Sequence, residues 1–155
     1  MRRPGRLCWG VFKINVLFAA SFGGHWVQLK RLAELVEADE AEFVSTGAGQ
    51  NGLADYYLRD FSVRELHRGL WQLPQALRIV RQSRADAVIS TGAAPGLLVL
   101  FAGWLLGRKT IWVDSIANSR RLSLSGRAAC LFATQVLTQW PELATGRVRH
   151  LGGLL

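Results

Sequence analysis

Short apolar runs alternate with helix-period stripes along nearly the whole chain, and that alternation leaves few folds open. Residues 14–20, 42–46, 87–90, 110–113 and 135–138 each read as a short strand, rich in apolar residues. Between them the apolar positions change period. Trp26, Leu29, Leu32, Ala33 and Val36 recur at three and four, which predicts an amphipathic helix from His25 to about Ala38. A second stripe runs through Leu66, Leu70, Leu73, Leu77 and Val80, with Pro74 expected to break or kink it. Residues 95–106 read as a strongly apolar helix and residues 125–132 as a short one. This order calls for an α/β fold, a mostly parallel sheet with helices on both faces. In such sheets ligands sit beyond the carboxyl ends of the strands, so the loops there are where chemistry is sought.

Composition narrows the class. The chain has 155 residues, enough for one domain that buries its own core without disulfides or metals. Half its residues are apolar and 19% are charged, which excludes intrinsic disorder. The net charge of +8 is lopsided: residues 1–60 carry seven charges of each sign, and residues 61–155 carry twelve basic against four acidic. Sixteen of the nineteen cations are arginine, whose planar fork suits phosphate or carboxylate. The expected partners are therefore anionic: phosphates, an acidic membrane surface or nucleic acid. Cys8 and Cys130 show no ligand spacing, which excludes a zinc ribbon or redox pair and fits a reduced, cytosolic protein. The start imitates a secretion signal, but Lys13 and Asn15 interrupt its apolar run. Residues 7–20 are also too short to span a bilayer, which takes ~20 apolar residues. Residues 1–13 are expected to form a basic, partly disordered tail, and residues 14–155 a single domain.

Each strand end offers a candidate. Ser21-Phe22-Gly23-Gly24-His25 joins the first strand to the first helix. Its glycines let the backbone approach a ligand, and the N–H groups of the helix favour a phosphate or diphosphate. The alternative is a tight turn in which His25 only caps the helix. Residues 47–52 spell G-x-G-x-x-G, but after the second strand, and read as a mobile loop instead of a dinucleotide fingerprint. Residues 90–96, Ser-Thr-Gly-Ala-Ala-Pro-Gly, read as a small flexible loop and a second anion cradle, with Pro95 suited to a first helical turn. The helix that follows either is buried or presents Phe101, Trp104 and Leu105 to a bilayer, with Arg108 and Lys109 at the headgroups. Asp114 ends a strand as a candidate base, a ligand for a sugar hydroxyl, or a cap of its own loop. A polar loop with Asn118, Arg120 and Arg121 follows it. Trp140, with Glu142 nearby, offers a flat indole that anchors a partner or stacks on a sugar. No Ser-His-Asp, metal-ligand or P-loop lysine pattern occurs, and neither cofactor nor metal is expected. An alternative reading, a basic nucleic-acid-binding domain, rests on Arg64, Arg68, Trp71 and Arg78 sharing one helical face; a solvated surface is the preferred account of it.

Taken in order, SFGGHWVQL, VISTGAAPG, S-x-x-N-S-R-R-L-S-L-S-G and QWPEL resemble the membrane-associated subunit of split GT-B glycosyltransferases, over residues 14–155. That group includes the eukaryotic anchor subunit of the transferase that adds N-acetylglucosamine to dolichol-linked sugar, and the PssD-type proteins of bacterial polysaccharide synthesis. The Gly-Gly-His step is similar to the glycine loop of MurG. The resemblance implies a Rossmann-like domain equivalent to the N-terminal, acceptor-side half of a GT-B enzyme, with the sugar-nucleotide half on a separate polypeptide. It implies that Ser21, Gly23, Gly24 and His25 face a lipid diphosphate or the reacting hydroxyl. Thr91, Gly92, Pro95, Gly96, Asn118 and Arg120 would shape the same pocket, with His25 and Asp114 as the catalytic candidates. These families usually carry glutamate at the position of Asp114. Trp140 and Glu142 would meet the partner.

The implied function is recruitment of a catalytic subunit to a polyprenyl- or dolichyl-diphosphate-linked sugar. Transfer of a hexose or N-acetylglucosamine from a UDP-sugar, held mostly by the partner, would need the heterodimer and no nucleic acid. The implied location is peripheral, on the cytoplasmic face of a bacterial inner membrane. The eukaryotic subunit has an N-terminal membrane helix that residues 1–13 cannot supply. Attachment is therefore expected through Phe101, Trp104, Leu105, Arg108 and Lys109, aided by Arg2, Arg3, Arg6 and Trp9.

Overall fold

The first strand shows why the sheet needs cover on both sides. Leu17 and Ala19 enter one apolar cluster, while Val16, Phe18 and Ala20 enter another across the sheet. The computed structural model describes residues 13–47, 54–150 and 152. Its strands are β1 (Asn15–Ala20), β2 (Glu40–Ser45), β3 (Tyr56–Tyr57), β4 (Ala87–Gly92), β5 (Lys109–Val113), β6 (Gln135–Thr138) and β7 (Val148–His150). They form one seven-stranded sheet in the order β3-β2-β1-β4-β5-β6-β7. Every neighbouring pair is parallel.

The helices are α1 (Gly24–Leu35), α2 (Leu66–Gln82), α3 (Ala93–Leu105) and α4 (Leu124–Ala129). α1 lays Trp26, Leu29 and Leu32 on the face formed by Val16, Phe18, Ile89 and Val113. Phe18 stacks on Phe43 at 5.3 Å and Trp26 meets the same ring edge-on at 5.9 Å. Such pairs contribute about 0.5–1.5 kcal/mol beyond their buried area. On the other face α2, α3 and α4 pack Ile79, Val80, Val99, Leu100 and Ala129 against Leu17, Val88, Trp112 and Val136.

Several boundaries differ from the expectation, each for a local reason. α1 stops at Leu35, where Val36 turns extended (φ −92°, ψ 119°). Asp39 then ties the chain back to β1, its carboxylate accepting from the Ile14 N–H at 2.7 Å. α2 runs unbroken through Pro74, which sits on the exposed side where water can serve the carbonyl it leaves free. Arg64 belongs to the 3₁₀ turn Val63–Glu65 before α2, so the face expected from Arg64 to Arg78 loses its first member. Arg68 pairs with Glu65 at 2.8 Å. No loop separates β4 from α3: Thr91 and Gly92 are still strand, and the helix begins at Ala93. β3 and β7 were not foreseen, being too short to show a period. Residues 1–12, with Arg2, Arg3, Arg6 and Trp9, lie outside the described residues, as does the G-x-G-x-x-G stretch beyond Gly47. No helix of the described residues is long and apolar enough to cross a membrane.

Candidate functional site

Beyond the carboxyl ends of β1, β4 and β5 opens a cleft of about 520 Å³. His25 and Ala93, at the starts of α1 and α3, form one side. Ser115, Asn118, Arg121 and Arg127, from the segment after β5, form the other. Two helix starts and two guanidinium groups make the cleft suited to an anion.

His25 is held by the backbone of β4, three strands on in sequence but next to β1 in the sheet. Its Nδ1 lies 3.1 Å from the carbonyl oxygen of Thr91. A carbonyl only accepts, so Nδ1 carries the proton and Nε2 keeps its lone pair in the neutral ring. The Thr91 hydroxyl returns a bond to the His25 carbonyl at 2.7 Å. Gly92 makes this approach possible: a Cβ there would sit 2.1 Å from Nδ1, and its φ of +153° already disfavours a side chain. Ala93 follows at φ +63°, an uncommon value for alanine.

Asp114 is 1% exposed, and its carboxylate is fully engaged. Oδ1 accepts from Trp112 Nε1 at 3.1 Å and from the Ser123 hydroxyl at 2.6 Å. Oδ2 accepts from the Ser123 N–H at 2.9 Å and from Asn118 Nδ2 at 3.3 Å. Ser123 also caps α4, accepting from the Gly126 N–H at 2.8 Å. The carboxylate thus pins both ends of the segment that carries Asn118 and Arg121.

The structure brings together only some of the residues singled out from sequence. His25 and Asn118 line the cleft, and Thr91 and Gly92 support it from beneath. Gly23 (φ +110°) and Gly24 are exposed beside His25 without lining the cleft. Ser21 is buried at the end of β1. Pro95 and Gly96 are buried in the first turn of α3, against the sheet. Arg120 is exposed and outside the cleft; its neighbour Arg121 and the unforeseen Arg127 and Ser123 line it. Trp140 is half-buried and donates from Nε1 to the Ile116 carbonyl at 2.8 Å, bracing the same segment, while Glu142 is exposed. Cys130 lies outside the cleft, and burial pushes its thiol up.

Apolar side chains gather beside α3. Phe101 stacks on Trp104 at 5.5 Å and meets Phe132 edge-on at 5.3 Å. Trp104 is 45% and Leu105 48% exposed. Arg108, half-buried, follows the same helix, and Lys109, exposed, opens β5.

No family profile matches the chain. The UDP-N-acetylglucosamine transferase subunit ALG14 of Eremothecium gossypii is 33% identical, across 81% of this chain and 56% of its own. The chain is a relative of the ALG14 subunits. A second relative is the UDP-N-acetylglucosamine–N-acetylmuramyl-(pentapeptide) pyrophosphoryl-undecaprenol N-acetylglucosamine transferase of Chlorobium luteolum. It is 30% identical across 91% of this chain and 44% of its own. The chain therefore spans about half the length of these curated relatives. Among solved structures, MurG of Acinetobacter baumannii superposes with a TM-score of 0.69 at 16% identity, over 88% of this chain and 45% of that one. The UDP-N-acetylglucosamine 2-epimerase of Rickettsia bellii gives 0.70 at 13% identity, over 92% and 45%. The fold is that of one Rossmann-like domain of these GT-B proteins.

Proposed function

We propose that this chain is the acceptor-side subunit of a two-chain glycosyltransferase. It holds a lipid-diphosphate-linked sugar at a membrane surface and recruits a catalytic partner that binds the UDP-sugar. The observation that carries this reading is the cleft itself: an anion-suited wall with a tautomer-defined histidine, on a domain matching about half the length of its structural neighbours. In the assembled pair the acceptor hydroxyl attacks the anomeric carbon of the donor sugar. The new C–O bond forms as the bond to UDP breaks, and His25 Nε2 takes the hydroxyl proton. Arg121 and Arg127 face the acceptor's diphosphate, and Asp114 acts as a positioning residue through Ser123 and Asn118. Trp140 and Glu142 lie toward the partner. Phe101, Trp104, Leu105, Arg108 and Lys109 rest on the cytoplasmic surface of the membrane, which suits a bacterial inner membrane.

Reconstitution tests the reading. The purified 155-residue chain should transfer no sugar from a UDP-sugar to a lipid-diphosphate acceptor. Activity should appear when a co-purifying sugar-nucleotide-binding protein is added. Robust turnover by the chain alone would refute it.

A further inference from the structure

A second cavity, apolar where the cleft is polar, runs between α2 and α3. It encloses about 250 Å³ and is lined by Phe61, Val63, Leu70, Leu97, Leu98 and Phe132, among other apolar residues, with no charged side chain among the described residues. Val63 lines both cavities, so the groove and the cleft meet at the 3₁₀ turn before α2. Leu70 stands 66% exposed at its rim, and Phe101, which also lines the groove, stacks on the exposed Trp104. Beneath the rim, Gly69 is buried in the first turn of α2. A Cβ there would lie 2.5 Å from the Phe61 ring, so glycine lets the ring line the groove.

A cationic cleft continuous with an uncharged groove matches one kind of molecule: an anion carrying a hydrocarbon chain. We propose that the groove holds the first part of the acceptor's polyprenyl chain, next to the diphosphate. This rests on the acceptor-side reading above and names how that site takes its lipid. Its volume is below that of a typical whole-ligand pocket, ~300–1,000 Å³, so only the chain's head is enclosed. The remainder passes over Leu70 toward the bilayer. The groove thus distinguishes a lipid-linked sugar from a soluble sugar phosphate, and it sets the depth at which the diphosphate sits.

Calorimetric binding of the full chain to inorganic, dimethylallyl, geranyl and farnesyl diphosphate tests this. A fully buried methylene is worth about fourfold in affinity. The groove predicts at least about a tenfold gain for the first isoprene unit, and a plateau once the groove is full. Leu70→Glu, at an exposed site, and Leu98→Trp, which fills the groove, should remove the gain and leave inorganic diphosphate binding unchanged. If Leu98→Trp melts early, Leu70→Glu carries the test. Binding of inorganic diphosphate with no gain from the chain would overturn the groove and leave the cleft standing. So would a gain that survives in Leu70→Glu. No binding of any diphosphate, with Arg121→Ala silent, would remove the acceptor-side reading and the groove with it.

Discussion

Replacing Asp114 by asparagine separates a base from a brace. The carboxylate accepts four hydrogen bonds, two on each oxygen. Asparagine keeps one oxygen and puts an NH₂ in place of the other. With the amide turned one way its N–H groups meet Trp112 Nε1–H; turned the other way they meet the Ser123 N–H. Neither can accept. At least one bond is lost in either orientation, worth about 1.5–3 kcal/mol to the charged acceptor, and the buried donor left unpaired costs about 1–3 kcal/mol more. The expected loss of folding stability is about 3–5 kcal/mol. For a domain this size that lowers the melting temperature by about 10 °C. Urea unfolding followed by tryptophan fluorescence reads it, since Trp112 is one of the donors. Ser123→Ala should cost about 2.5–4 kcal/mol through the lost cap and the lost carboxylate bond. The double variant should cost less than the sum, because both changes break the same bond. A chemical base behaves otherwise, losing turnover while the melt stays put. If Asp114→Asn unfolds within about 2 °C of the parent, the bracing argument is wrong and Asp114 returns as a candidate base.

The remaining expectations are shorter. His25→Ala should lower turnover of the assembled pair by at least ~100-fold with an unchanged far-UV circular dichroism spectrum; intact activity would reduce His25 to a helix-start residue. Trp104→Glu should weaken sedimentation with anionic liposomes by about 10–100-fold, from the ~1.5–3 kcal/mol that a large apolar side chain contributes. A fall in melting temperature instead would mark that residue as core. Tyr56 hydrogen-bonds Glu42 at the β2–β3 edge, and this bond, with burial and the nearby carboxylates, pushes its hydroxyl up to about 12. An unfolded tyrosine ionises near ~10, so the folded state holds its proton longer. That stabilisation is full below pH ~10 and is lost as pH climbs through about 12. Tyr56→Phe should flatten the decline of stability with pH over that window, and an unchanged slope would count against the Glu42 contact.

The parallel sheet was legible because each long strand is a continuous apolar run bounded by a change of period. β1 is the clearest case, with its two sets of side chains feeding two clusters. The strands that escaped, Tyr56–Tyr57 and Val148–His150, are too short to carry a pattern. Pro74 misled for a different reason. A proline forbids one hydrogen bond, but on the solvent side of a helix anchored by Ala76, Ile79 and Val80 the packing outweighs that loss. At residues 90–96 small side chains suggested slack, whereas glycine and alanine there serve a strand-to-helix step with no loop at all.

The candidate site was half legible, and the missing half has a common cause. Motif reading finds residues that stand next to each other in the chain, as Gly24 and His25 do. The cleft is made by sheet order, which sets β1 beside β4 although 66 positions separate His25 from Thr91. Nothing in the pair Arg120-Arg121 tells which guanidinium turns inward, because an irregular segment has no period; the bonds from Asp114 and Trp140 to its backbone and side chains decide that. Val63 carries even less signal. It is a half-buried valine in a 3₁₀ turn, yet it is where the polar cleft becomes an apolar groove. A site that must hold both a charged head and a hydrocarbon tail needs such a junction. The junction asks only for an apolar side chain at the right place, so no motif marks it.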